Sequence, residues 1–156
     1  MRAGAWPSLT QARGKVIFML DDTPQKTALY SGPSLTLEGR PLFVATDENS
    51  PLASFICVDD PVKDGARVSS DVAQGFIVKT RADEDTREAR AGDTVRREAA
   101  FSSGAQFVVT DFLLPDKSIG AYQVRMADPV QCDAKLAGTL CASNAQLIVA
   151  VADHGP

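Results

Sequence analysis

The segment from Gly75 to Phe112, GFIVKTRADEDTREARAGDTVRREAAFSSGAQFVVTDF, constrains the fold more than any other part of the chain. An apolar triplet, Phe76-Ile77-Val78, runs into a polar cluster from Lys79 to Asp85. A charged helical stretch follows Asp83 and stops at Gly104. A second apolar run, Phe107 to Val109, then closes on Thr110 and Asp111. Strand, polar loop, helix, strand is the order of a βαβ unit whose two strands both end in charge. In parallel α/β folds ligands sit at the carboxyl ends of the strands, so function is sought there.

The same grammar recurs along the chain. Lys15 to Asp21 is an apolar run ending in carboxylates, as expected of a fully buried parallel strand. Asp22 or Thr23 caps a helix with Pro24 in its first turn, running to Leu29 or Tyr30. Leu42 to Asp47 is a second strand with a charged tip. Phe55 to Val58 is a short apolar segment in which Cys57 reads as a buried core thiol. Pro61 keeps Asp60 out of the helix that follows, Val62 to Gln74, which Gly75 ends.

In the helix after Asp83, Ala91, Val95 and Ala99 form a small face suited to close contact with a sheet, while Arg87, Arg90, Arg97 and Glu98 face solvent. Gly92 then lies mid-helix, costing up to ~1 kcal/mol against alanine, which close packing would offset. Asp93 and Arg97 are spaced as an i,i+4 pair. After Asp111 the pattern decays into an irregular tail, 113–156, with a loop from Leu113 to Gly120, an extended piece from Tyr122 to Arg125 and a late apolar run from Ala145 to Val151.

About four parallel strands with helices between them predict one α/β domain over residues 1–156, with the architecture of half an eight-fold TIM-type β/α barrel. Such a half leaves two open sheet edges and an uncovered lumen face, so it should pair or aggregate.

The 156 residues are 44% hydrophobic and 23% charged, enough for one buried core. A net charge of −4 argues against a nucleic-acid partner, which selects a basic face, but leaves a small anion open. No apolar run is long enough to span a bilayer. Val16 to Leu20 is also too short for a secretory core and is closed by Asp21 and Asp22, so the chain as written shows no export signal. Cys132 and Cys141 enclose a short loop poor in core residues. They are a disulfide or two free thiols; we favour the disulfide, which implies an oxidising compartment. No CxxC or cysteine–histidine spacing suggests zinc.

Strand alternation selects the candidate site. With Ile77 facing the barrel axis, Lys79, Arg81 and, in phase, Asp83 face it too; Phe76, Val78 and Thr80 face the helices, where charge would be unpartnered. The same alternation groups Phe107, Val109 and Asp111, then Met19 and Asp21, then Phe43, Ala45 and Asp47. A phosphodiester needs cations against its non-bridging oxygens. Arg81 is the first candidate because a guanidinium binds two such oxygens at once, and Lys79 is the second. Asp111, Asp83 and Asp21 form the polar rim that would orient them. The alternative is a structural salt-bridge layer, equally good for Arg81 and better for Lys79 and Asp21. Asp83-Glu84-Asp85 offers hard oxygens of the kind calcium takes, but carboxylates in a helix's first turn account for it more simply. Ser102-Ser103-Gly104 is a helix end leading to a strand, not a nucleophile elbow.

Trp6-Pro7-x-Leu9, Ala12-Arg13-Gly14-Lys15-Val16-x-Phe18-x-Leu20-Asp21, Leu37-Glu38-Gly39-Arg40 with Phe43, Thr80-Arg81-Ala82-Asp83, and Ser103-Gly104-Ala105-Gln106 with Thr110-Asp111 together resemble the calcium-dependent phosphoinositide phospholipase C family. The resemblance runs from Trp6 to about Cys141 and is to the carboxyl-terminal half of that family. It implies a barrel phosphoric diester hydrolase of lipid metabolism, exported to the periplasm or medium, acting on a phospholipid headgroup with calcium. It also implies that the catalytic histidines and calcium ligands belong to the other half. The single histidine here, His154, lies in no motif. The expected activity is phospholipase C-type cleavage that this chain alone does not perform. The alternatives are a non-catalytic half-barrel joining itself or a complementing chain, or a relative acting on glycerophosphodiesters.

Overall fold

The computed structural model describes residues 6–126; Cys132, Cys141, the run Ala145 to Val151 and His154 lie outside the described residues. Five parallel strands appear among these, against about four expected. They are β1 (Met19–Leu20), β2 (Phe43–Val44), β3 (Phe55–Cys57), β4 (Ile77–Arg81) and β5 (Phe107–Val109). β1 and β2 form a two-stranded parallel sheet. β3, β4 and β5 form a three-stranded parallel sheet in chain order. A single parallel bridge, Ala45 to Phe55, links β2 to β3.

Helices fill most of the connections. α1 (Leu9–Ala12) opens with a capping box between Ser8 and Gln11. α2 (Pro24–Ser31) joins β1 to β2, with Pro24 at its start, where a missing N–H costs nothing. α3 (Pro61–Ala73) joins β3 to β4; Asp60 caps it by accepting hydrogen bonds from the Val62 and Lys63 amides. Its Val68 and Val72 pack with Ile56, Val58, Phe76 and Val78 into one core on the outer face of β3 and β4.

The crossover between β4 and β5 is not one helix but two, α4 (Arg87–Ala91) and α5 (Val95–Ser102). Gly92 ends α4 in the left-handed region at φ 62°, and a Cβ there would meet nothing within 4 Å. It is therefore a helix terminator rather than a close-packing glycine. The break shifts the helical phase. Ala89, Arg96 and Ala100 are buried, whereas Ala91 and Val95 of the expected face are exposed. The Asp93–Arg97 pair does not form: Asp93 accepts from the Val95 amide, and Arg97 donates to Glu98 and to the Gln123 carbonyl.

The first strand is also shorter than expected. Val16, Ile17 and Phe18 are 74%, 50% and 59% exposed. A continuous apolar strand is buried only when both faces are covered, and among the described residues β1 has β2 alone beside it. The start of the tail, by contrast, contributes to the core. Phe112, Tyr122 and Val124 pack with Ala82 and Ala89, and Val108 and Phe101 lean on them.

Candidate functional site

Residues 77 to 81 alternate between half-buried and buried, with Val78 and Thr80 fully buried on the helix side. Ile77, Lys79 and Arg81 consequently share the opposite face. Ile77 and Lys79 line a cleft of about 270 Å³ with Ile17, Met19, Phe55, Phe107 and Val109. Its other lining residues are apolar, and Lys79 is its cation; Arg81 follows at the carboxyl end of β4. Lys79 and Arg81 are two residues apart on one face, about 6.5 Å along the strand.

Two cations make three ion pairs on this rim. Lys79 Nζ donates to Asp21 at 2.8 Å and lies 3.3 Å from Asp59. Arg81 Nη2 donates to Asp111 at 3.1 Å, and its Nε donates to the Asp83 carbonyl at 3.1 Å. Arg81 Nη1 makes no hydrogen bond among the described residues. Lys79 is thus already shared by two carboxylates, while Arg81 keeps part of its fork unused. Burial opposes the Lys79 charge, but its bond to Asp21 and its negative neighbours outweigh this and raise its pKa.

Asp83 departs from the rim. It is fully buried. Its carboxylate accepts from the Thr110 hydroxyl and from the Asp111 amide at 3.0 Å. The strand period of two stops at Arg81, where β4 ends, so extending the alternation to Asp83 fails. Glu84 is also engaged, accepting from Arg96 at 2.7 Å and pairing with Arg87 at 2.7 Å. Asp83, Glu84 and Asp85 precede Thr86, the residue before α4, and so do not form its first turn.

Three participants were not singled out from the sequence. Asp59 adds the second carboxylate on Lys79. Cys57 is half-buried rather than core; its thiol donates to Asp21 at 3.6 Å. Arg96 is buried and ties Glu84 and Glu88 to the Asp59 carbonyl, which it meets at 2.8 Å. Cys57 is the register partner of Lys79 in the fold, a pairing that its own apolar segment does not signal.

Residues 1–134 match the family of phosphoinositide phospholipase C, Ca2+-dependent. The chain belongs to this family. No curated protein and no solved structure matches it. As a phospholipase C-family chain it raises the question of calcium, and the rim acids do not fit that ion. Asp21 and Asp59 share Lys79, Asp111 holds Arg81, and Asp83 is enclosed by donors. Calcium takes six to eight oxygens, roughly, and no group of three His, Cys, Asp or Glu placed to hold a metal occurs among the described residues. No helix among them is long and apolar enough to cross a membrane.

Proposed function

We propose that this phospholipase C-family chain supplies the phosphate-facing wall of a β/α barrel that cleaves phosphoinositide diesters. The carrying observation is Arg81, two residues beyond the cleft-lining Lys79 on the same face of β4, with Nη1 free of hydrogen bonds among the described residues. A guanidinium so placed can take a non-bridging phosphate oxygen, where negative charge grows as the inositol hydroxyl attacks phosphorus and diacylglycerol departs. Lys79 and Asp21 set the field beside it, and Asp111 orients the guanidinium. The acid, the base and the calcium ligands come from a complementing half. The same reading takes the protein to be exported, with Cys132 and Cys141 paired.

The exposed concave face supports the complement. A closed barrel fills its interior with layers of side chains. Here Ile17 and Phe107 remain half-exposed on that face, and among the described residues β1 and β5 each leave an edge unpaired. Five parallel strands in chain order fit an arc of such a barrel. The second reading, a non-catalytic half-barrel that assembles with itself, rests on the same exposed face.

Three measurements test this. Purified chain with calcium and phosphatidylinositol vesicles should show no turnover; robust turnover would remove the need for a complement. Sedimentation at micromolar concentration should give a dimer or larger species, and a stable compact monomer would count against assembly. Arg81→Met should weaken binding of myo-inositol 1-phosphate about tenfold or more, as expected for losing a charged hydrogen bond.

A further inference from the structure

We infer that Asp83 is a positioning residue, which holds both partners of the Arg81–Asp111 pair from beneath the rim. Its main-chain carbonyl accepts from Arg81 Nε at 3.1 Å. Its carboxylate accepts from the Asp111 amide at 3.0 Å and from the Thr110 hydroxyl. Thr110 Oγ1 in turn accepts from the Phe112 amide at 2.9 Å. The Tyr122 hydroxyl donates to the Ala82 carbonyl at 3.3 Å and lies 3.5 Å from the Asp83 carboxylate. One residue therefore contacts the cation by its main chain and the anion's backbone by its side chain.

Magnitudes favour this role. The Arg81 and Asp111 side chains are 27% and 53% exposed. An exposed pair of this kind is worth roughly 0–1 kcal/mol and does not by itself hold two flexible side chains in one geometry. Asp83 has the opposite character. It is a carboxylate with no exposed surface, satisfied by an amide and the Thr110 and Tyr122 hydroxyls, with no cation bonded to the carboxylate among the described residues. Burying such a charge costs several kcal/mol before its hydrogen bonds are counted, and an apolar side chain would fill the space at lower cost. What the carboxylate adds is direction. It fixes the backbone at Asp111, and hence where the Asp111 side chain meets Nη2, leaving Nη1 for a ligand oxygen.

The ligand part of this inference rests on the phosphodiester reading above; the geometry of Arg81 does not. The test uses the full chain and three variants, Asp83→Asn, Thr110→Val and Thr110→Ser. The first readout is the Arg81 Nε–Hε resonance without ligand, and the second is the dissociation constant for myo-inositol 1-phosphate. Asp83→Asn and Thr110→Val should both move the resonance toward that of a solvated arginine and weaken binding about tenfold. Thr110→Ser, which keeps the hydroxyl, should retain both. Should Asp83→Asn fail to fold, the valine and serine variants carry the comparison. A folded Asp83→Asn or Thr110→Val with the wild-type Arg81 resonance overturns the inference. So does unfolding of both, which would make Asp83 a structural anchor only. Wild-type chain that binds no inositol phosphate, while Asp83→Asn still moves the resonance, removes the phosphodiester reading and leaves the positioning role standing.

Discussion

Cys57 shows how far a single position on the rim is governed by its neighbours. Burial pushes its thiol up to about 11; Lys79 opposes this, while Asp21 and Asp59 add to it. The folded chain then holds the thiol proton more tightly than the unfolded chain. The resulting stability is complete below pH 9 and is lost as pH climbs from 9 toward 11. Alkylation by iodoacetamide, followed on the Cys57 peptide, should be slow at pH 8 and still be accelerating near pH 10; a rate already level at pH 9 would contradict this environment. At this scale the β4 alternation was legible because lysine and arginine cannot lie unpartnered beneath a helix. Phe55-Ile56-Cys57 carries no charge to set its phase, so Cys57 was misplaced. Asp83 was misplaced because alternation gives no notice of where a strand ends. Asp85, with φ 54°, shows how sharply the chain has turned by then.

The split between α4 and α5 belongs to the scale of the element. Gly92 at φ 62° has open space around it, so Gly92→Ala costs backbone strain alone, about 1–2 kcal/mol. Urea unfolding should show that loss; an unchanged or raised midpoint would mean that one continuous helix forms here after all. The sequence did carry the signal. Gly92-Asp93-Thr94 is a stop followed by a start, and Asp93 does accept from the Val95 amide. A four-residue repeat of small side chains outweighed it because alanine suits a helix on any face. Arg96 could not be recognised as buried from its type, since arginine is usually exposed. Its burial follows from Glu84, Glu88 and the Asp59 carbonyl, which only the fold brings together. The caps that form at Ser8 and Asp60 are, by contrast, local to their own helices.

For the whole molecule, the parallel α/β class was readable from apolar runs that end in charge. The extent of each run was not, because a strand's length depends on the neighbours available to pair with it. Val16 to Phe18 are apolar enough for a buried strand yet stay exposed, and of the three only Phe18, whose carbonyl accepts from the Phe43 amide, is seen to meet β2 among the described residues. The division into two sheets is likewise a tertiary outcome. Among the described residues, only the Ala45–Phe55 bridge joins their ladders. Trp6 crosses the same line. Its ring lies 5.6 Å from that of Phe43 and 5.5 Å from that of Phe55, and its Nε1 donates to the Gly75 carbonyl at 3.0 Å. Because Trp6 is the chain's single tryptophan, the protein carries an intrinsic optical gauge at its weakest join. With rising urea, the fluorescence transition should come before the loss of helical circular dichroism, as β1 and β2 peel away first. Superimposed transitions would instead mean that a few aromatic rings weld the two sheets into one cooperative body.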